Sequence, residues 1–268
     1  MFYKDQLIFE EIIEVKFNLK ARLALAAIFT VTGYLNSNAQ TTAKKITTRP
    51  VAWYNYLNTL ELSARSFITT QLSERTYLDN GHQAQALVWS KINHTLGEHW
   101  DAGLGFAYFL TRSFDPASTN TLSVPELRPF EEFNYKQKIN KIALNHRYRI
   151  EERYVRKTEN DKLTDGYNFS FRFRYQFNVD YNLFKSKDNT RSFSIKAGDE
   201  IIINAGRHII NNMFDQNRIF VSLNYQPVNN VSVELGYMNA FQERSSGNQY
   251  YNANIYRLSV FHKIRLYK

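Results

Sequence analysis

The chain has 268 residues, 43% apolar by type and 15% aromatic, and a formal net charge of +9 at neutral pH. With a mean hydropathy of −0.48 and an apolar stretch, Leu23–Val31, well short of the roughly 20 residues a spanning helix needs, no helical membrane span is expected. The absence of cysteine excludes a disulfide framework, a thiolate zinc site and a cysteine nucleophile. The basic residues are spread through the chain rather than clustered, so the positive charge argues for no nucleic-acid partner.

Lys16, Lys20 and Arg22 precede Leu23–Val31, and Ser37-Asn-Ala39 follows. A basic region, a short apolar core and a small residue at the end are the parts of a secretory signal peptide, so residues 1–39 are read as one, cleaved after Ala39. Asp5, Glu10, Glu11 and Glu14 put acid where that pattern wants base. A start set too early, with translation beginning at Val15, accounts for residues 1–14. Residues 40–50 are read as a polar linker and residues 51–268 as the folded body.

The body reads as strands near 52–61, 66–77, 82–94, 99–111, 126–138, 141–155, 167–183, 190–203, 216–226, 230–240 and 252–267, each an alternation bounded by turn residues. No helical period and no solenoid repeat is present. Short connections at Thr95–Glu98, Lys138–Lys141, Phe184–Thr190 and Pro227–Asn230 alternate with longer ones at Arg112–Pro125, Arg156–Gly166, Asn204–Asp215 and Gln242–Tyr251. Tight turns at one end and longer loops at the other are the pattern of an outer-membrane barrel. Counting back from the C-terminus makes 66–77 the tenth strand and leaves 53–61 over. Bacterial single-chain barrels have even strand counts, so the fold class expected is an all-β, antiparallel up-and-down transmembrane barrel of ten strands, with twelve as the alternative.

The clearest alternation runs through Lys141–Phe184. Tyr167, Phe169, Phe171, Phe173, Tyr175, Phe177, Val179 and Tyr181 share one face, and Asn168, Ser170, Arg172, Arg174, Gln176, Asn178 and Asp180 the other. The preceding strand opposes Ile142, Leu144, His146, Tyr148 and Ile150 to Asn145, Arg147, Arg149, Glu151 and Arg153. In a membrane barrel the aromatic face meets lipid and the charged face lines the lumen. A soluble lipocalin-like barrel inverts the two. The signal segment, the loop alternation and the strand length favour the membrane. Gly103, Gly105 and Ala107, on the polar side of strand 99–111, would leave lumen space or admit long arginines from neighbouring strands.

Trp53-Tyr54, Glu74-Arg75, Gly103–Tyr108, Pro125-Glu-Leu-Arg128, Leu144–Arg153, Phe171-Arg-Phe-Arg-Tyr175 and Glu234-Leu-Gly-Tyr-Met238 resemble, in this order, a domain-of-unknown-function family of small outer-membrane β-barrels common in Bacteroidota and other Gram-negative bacteria. The His-Arg-x-Arg-x-Glu-x-Arg run followed by Arg-x-Arg is its most specific part. The resemblance implies a barrel and an outer-membrane address, and no activity.

Of the six histidines, His146 is the sharpest candidate, since a lipid-facing histidine could serve a phospholipase. Such an enzyme also needs a serine beside it, and residue 148 is Tyr. Glu131-Glu132 and Glu151-Glu152 are acid pairs in sequence, but adjacent strand residues point to opposite faces and cannot converge on one sugar. Glu159–Gly166 only loosely approaches a calcium loop. No histidine pair has zinc-ligand spacing and no glycine-rich phosphate loop occurs. The remaining constellation is the arginine ladder Arg147, Arg149, Glu151, Arg153, Arg172 and Arg174. It is read as a packing network that fills a narrow lumen, or as an anion-attracting surface. The expectation is therefore a monomeric outer-membrane barrel without catalytic site, metal or cofactor, structural or narrow and plugged. Its expected partners are outer-membrane lipids, including lipopolysaccharide phosphates, and the barrel-assembly machinery. A lipid-modifying enzyme and a secreted soluble barrel for an apolar ligand are the alternatives.

Overall fold

The computed structural model describes residues 45–112, 118–188, 190–206, 213–244 and 249–267; the predicted signal peptide lies outside them. Eleven strands occur among the described residues: β1 Lys45–Glu61, β2 Ser66–Tyr77, β3 Gln83–Thr95, β4 Trp100–Thr111, β5 Val124–Ile139, β6 Ile142–Glu159, β7 Lys162–Lys185, β8 Ser192–Ala205, β9 Phe214–Val228, β10 Val231–Glu243 and β11 Gln249–Arg265. They form a closed barrel in which each strand neighbours the next in sequence.

The count is eleven, neither ten nor twelve. The stretch left over by the sequence count is a full strand, β1, which begins at Lys45 inside the predicted linker. An odd count makes the first and last strands parallel, and β1 pairs with β11 in that sense from Lys45↔Gln249 to Glu61↔Arg265. All other pairings are antiparallel. The physical demand on a barrel is that no strand edge stay unpaired. Parallel closure meets that demand as well as antiparallel closure, and here it holds over the whole length of β1.

β6 and β7 also depart from expectation. The predicted long loop Arg156–Gly166 is instead the tip of a hairpin that outreaches its neighbours. β5 accompanies β6 only as far as Val155, and β8 accompanies β7 only from Phe171. The hairpin closes at Asn160 and Asp161, whose φ angles of 48° and 58° are those of a type I′ turn. Its tip hides no face from water, so its sequence is polar on both sides and shows no alternation to read.

Within the barrel proper the alternation sets the orientation. Leu104, Ile219 and Leu235 are 64%, 61% and 61% exposed, and Phe171, Phe173, Tyr175, Tyr237 and Tyr256 stand on the same outer wall. Glu132 and Glu151, on the opposite parity, are 2% and 1% exposed. The aromatic face thus points outward, the reverse of a soluble barrel built around an apolar ligand. Trp100, Tyr135, His146 and Phe177 form a run of neighbouring rings on β4 to β7 near the short-turn end, with centroids 4.9, 6.0 and 4.8 Å apart.

Two apolar clusters lie inside. One joins Val51, Tyr77, Phe220, Met238, Ala240, Ala253 and Ile255, with Trp53 against it; the other joins Leu87, Ala107, Phe109 and Phe130. Gly105 was expected to leave lumen space or admit a long arginine. It admits Phe130 instead, because a Cβ there would lie 2.3 Å from Phe130 Cζ. The arginine, Arg149, lies one layer further in, its guanidinium carbon 4.4 Å from the centre of the same ring.

Candidate functional site

The inward positions of β5 to β9 carry the charges, and strand register brings them together. Glu132 sits opposite Arg149, Glu151 opposite Arg172, and Glu200 lies between Gln176 and Arg218. Arg149 donates to Glu132, which also accepts from Lys91. Glu151 accepts from Arg128 Nη1 at 3.0 Å and Arg174 Nη1 at 2.6 Å, with Arg149 Nη1 3.6 Å away. Glu200 accepts from Arg147 Nη2 at 2.5 Å, Arg174 Nη2 at 2.7 Å and Arg218 Nη1 at 3.1 Å. Glu126 takes Arg153 Nε at 2.5 Å and pairs with Arg128 Nη2 at 2.9 Å.

Four arginines therefore act as bridges: Arg128 between Glu126 and Glu151, Arg149 between Glu132 and Glu151, Arg174 between Glu151 and Glu200, and Arg147 between Glu200 and, at 4.0 Å, Glu132. The planar guanidinium suits this, since its five donors can serve two carboxylates at once. Of the six residues singled out in the sequence, Arg147, Arg149, Glu151, Arg153 and Arg174 join this lattice. Arg172 stands apart. Its Nη2 is 2.7 Å from Asp215 Oδ2 as an ion pair without hydrogen-bond alignment, and its Nε donates to Asn204 at 3.2 Å. Glu126, Glu132, Glu200, Arg128, Arg218 and Lys91 were not placed in the ladder by the sequence reading. Their inward parity was legible, but only register shows which charges on neighbouring strands meet.

A second group lies toward β10 and β11, where Glu234 holds Lys196 Nζ at 2.7 Å and Arg257 Nη2 at 3.6 Å. Across these groups, ten cations share six carboxylates. Arg75 adds an eleventh cation that forms no ion pair among the described residues. Its Nη1 donates to Gln85 at 2.5 Å, its guanidinium carbon lies 3.8 Å from the centre of the Trp53 ring, and its Nε is buried without a hydrogen-bond partner.

A cavity of about 940 Å³ remains beside the lattice. Asn120, Asp161 and Arg244 line it at the long-loop end, and Leu57 and Phe261 at its lower limit. Nearer the short turns the interior is occupied by Asn93, Asn134, Asn178, Ser194 and Ser222, all buried.

On the outer wall Ser66 Oγ lies 2.9 Å from His94 Nδ1 at the short-turn end, and among the described residues no carboxylate bonds to that ring. His146 Nδ1 is 2.9 Å from the Tyr175 hydroxyl, and its ring packs among Tyr135, Tyr175 and Phe177. Among the described residues no serine or carboxylate bonds to it. None of them forms a group of three or more His, Cys, Asp or Glu placed to hold a metal ion.

The profile of a family described as "Protein of unknown function (DUF2490)" matches residues 51–251. Among solved structures, the chain is similar to the NanC porin in a rhombohedral crystal form, with 13% identity and a TM-score of 0.43 over 80% of this chain and 98% of that one. It is also similar to LpxR from Salmonella typhimurium, with 10% identity and a TM-score of 0.42 over 74% of this chain and 83% of that one. No curated protein matches it.

Proposed function

The chain belongs to the DUF2490 family of proteins of unknown function, and from that premise we propose that it is a non-catalytic outer-membrane β-barrel of a Gram-negative bacterium, plugged at its short-turn end and attractive to anions within. The observation that carries this reading is the inverted distribution of polarity. Large apolar side chains cover the outer wall while charged ones fill the inside. Such a surface costs about 25 cal/mol per Å² in water, and lipid removes that cost. The run of rings from Trp100 to Phe177 has the composition of an interfacial girdle. Arg147, Arg149, Glu151, Arg153, Arg172 and Arg174 serve as lumen packing, and the surplus of cations makes the lumen attractive to anions. Outer-membrane lipids, lipopolysaccharide phosphates and the barrel-assembly machinery are the partners such a protein needs, and it acts as a monomer.

Two measurements test the reading. In fractionated cells the protein should sediment with the outer membrane and shift in apparent size on heating in detergent. Recovery as a soluble periplasmic protein would end the membrane assignment. In planar bilayers the wild-type barrel should pass no steady current, whereas a variant thinned at both floor and lattice, Asn93→Ala/Asn134→Ala/Arg174→Ala, should conduct. A steadily open wild-type channel contradicts the plug.

A further inference from the structure

The cavity has two chemically different walls. Arg172 and Arg218 stand on one side, at the border of the lattice; Val51, Met238 and Ile255 stand on the other. Trp53 stands where the walls meet, its ring centre 3.8 Å from the Arg75 guanidinium and 5.7 Å from that of Arg218. A barrel whose inside served only as filler would give each arginine a carboxylate and each apolar side chain a neighbour. Arg75 has no carboxylate within ion-pair distance among the described residues, and a partly desolvated guanidinium without a counter-charge is costly.

Arg75 is nevertheless held in place. Thr111 Oγ1 accepts from Gln85 Nε2 at 2.6 Å, and this turns Gln85 Oε1 toward Arg75 Nη1. The guanidinium is thereby held against the Trp53 ring, with Nε buried and unmatched by any acceptor among the described residues. A preset donor array of this kind suits a carboxylate or phosphate, which arginine binds through paired hydrogen bonds. The volume, about 940 Å³, is that of a small-molecule site with an apolar lining and a few placed polar groups.

We propose that this vestibule binds an organic anion, a single carboxylate or phosphate carried on an apolar or aromatic body, entering from the long-loop end. Arg75 and Arg218 hold the anionic group, and Trp53 with the Val51, Met238 and Ile255 wall receives the body. The inference goes beyond the function proposed above: it needs the closed barrel, and neither the membrane address nor the absence of conductance enters it.

The test is calorimetric titration of the full-length chain as it matures in its host, reconstituted in lipid nanodiscs, with 2-naphthyl phosphate, inorganic phosphate and 2-naphthol; empty nanodiscs are the blank. Naphthyl phosphate should bind saturably with one site per chain, and each of the other two at least tenfold more weakly. Arg75→Gln should lower the naphthyl phosphate affinity at least tenfold, and Arg75→Lys by less. Naphthyl phosphate should also shield Arg75 in the wild-type protein from phenylglyoxal, read by mass spectrometry, which decides the matter should Arg75→Gln not fold. Absence of saturable binding, inorganic phosphate binding as tightly as the naphthyl ester, unprotected Arg75, or unchanged affinity in a folded Arg75→Gln barrel would each overturn the proposal.

Discussion

The two halves of the inner wall solve the problem of a filled barrel in opposite ways. On β5 to β9, long charged side chains reach into the interior and are held because almost every carboxylate has two or three cations around it. On β10, β11, β1 and β2, an apolar cluster with small members such as Ala240 and Ala253 takes part of the inner wall, and the polar side chains beside it, such as Ser73 and Ser259, are mostly shorter. The contrast teaches that the vestibule is a by-product of asymmetry. Arginines that reached equally from all sides would fill the lumen, and alanines on all sides would leave it open throughout.

The comparison is broken most sharply at the charged half. Glu151→Ala leaves Arg128, Arg149 and Arg174 facing one another, and removal of one member of a buried charge network costs about 3–5 kcal/mol. The midpoint of denaturant unfolding in detergent should fall accordingly. Arg149→Ala should cost less than that, because Glu132 keeps Lys91, yet clearly more than Asp161→Ala at the hairpin tip.

Next comes Gly105→Val, which forces a side chain against Phe130. Overpacking should cost about 3 kcal/mol and slow the appearance of the heat-modifiable form. In the apolar half, Met238→Ala should cost about 2 kcal/mol, the low end for such a truncation, because one side of Met238 already faces open cavity. A loss equal to that of Glu151→Ala would show that the two halves are not energetically distinct.

The smallest effect is expected outside both halves, in the turn after β7. Hydrogen bonds from Ser186, then Thr190, hold the Asp188 carboxyl down at about 2, from an ordinary 3.8. A lowered carboxyl stabilises the fold above the unfolded value and loses that contribution as pH falls through the folded one, here from about 4 to 2. Asp188 is fully exposed, so Asp188→Asn should leave the unfolding midpoint nearly unchanged. A carbon-detected titration should still place the group near 2.

Much of this design is legible in the chain before folding, because strand alternation is a local property. Phe171, Phe173 and Tyr175 against Arg172 and Arg174 state two faces with no knowledge of any partner. The loops between them mark most strand ends. The tip of the β6–β7 hairpin was not legible, since a ribbon wetted on both sides has no face to hide. Nor was the closure legible: the stretch 52–61 reads as a strand, but its partner β11 lies about 200 residues away in sequence.

The sequence alone thus determined a β-barrel with an aromatic side and a charged side, because a period of two needs only neighbouring residues to be expressed. The tertiary structure decided that the barrel closes by pairing β1 in parallel with β11, and which glutamate meets which arginine. It also decided that Arg75, one basic residue among many in the sequence, lies over a tryptophan with no carboxylate in ion-pair range among the described residues. Those outcomes depend on register and closure, which arise only when strands distant in the chain lie side by side.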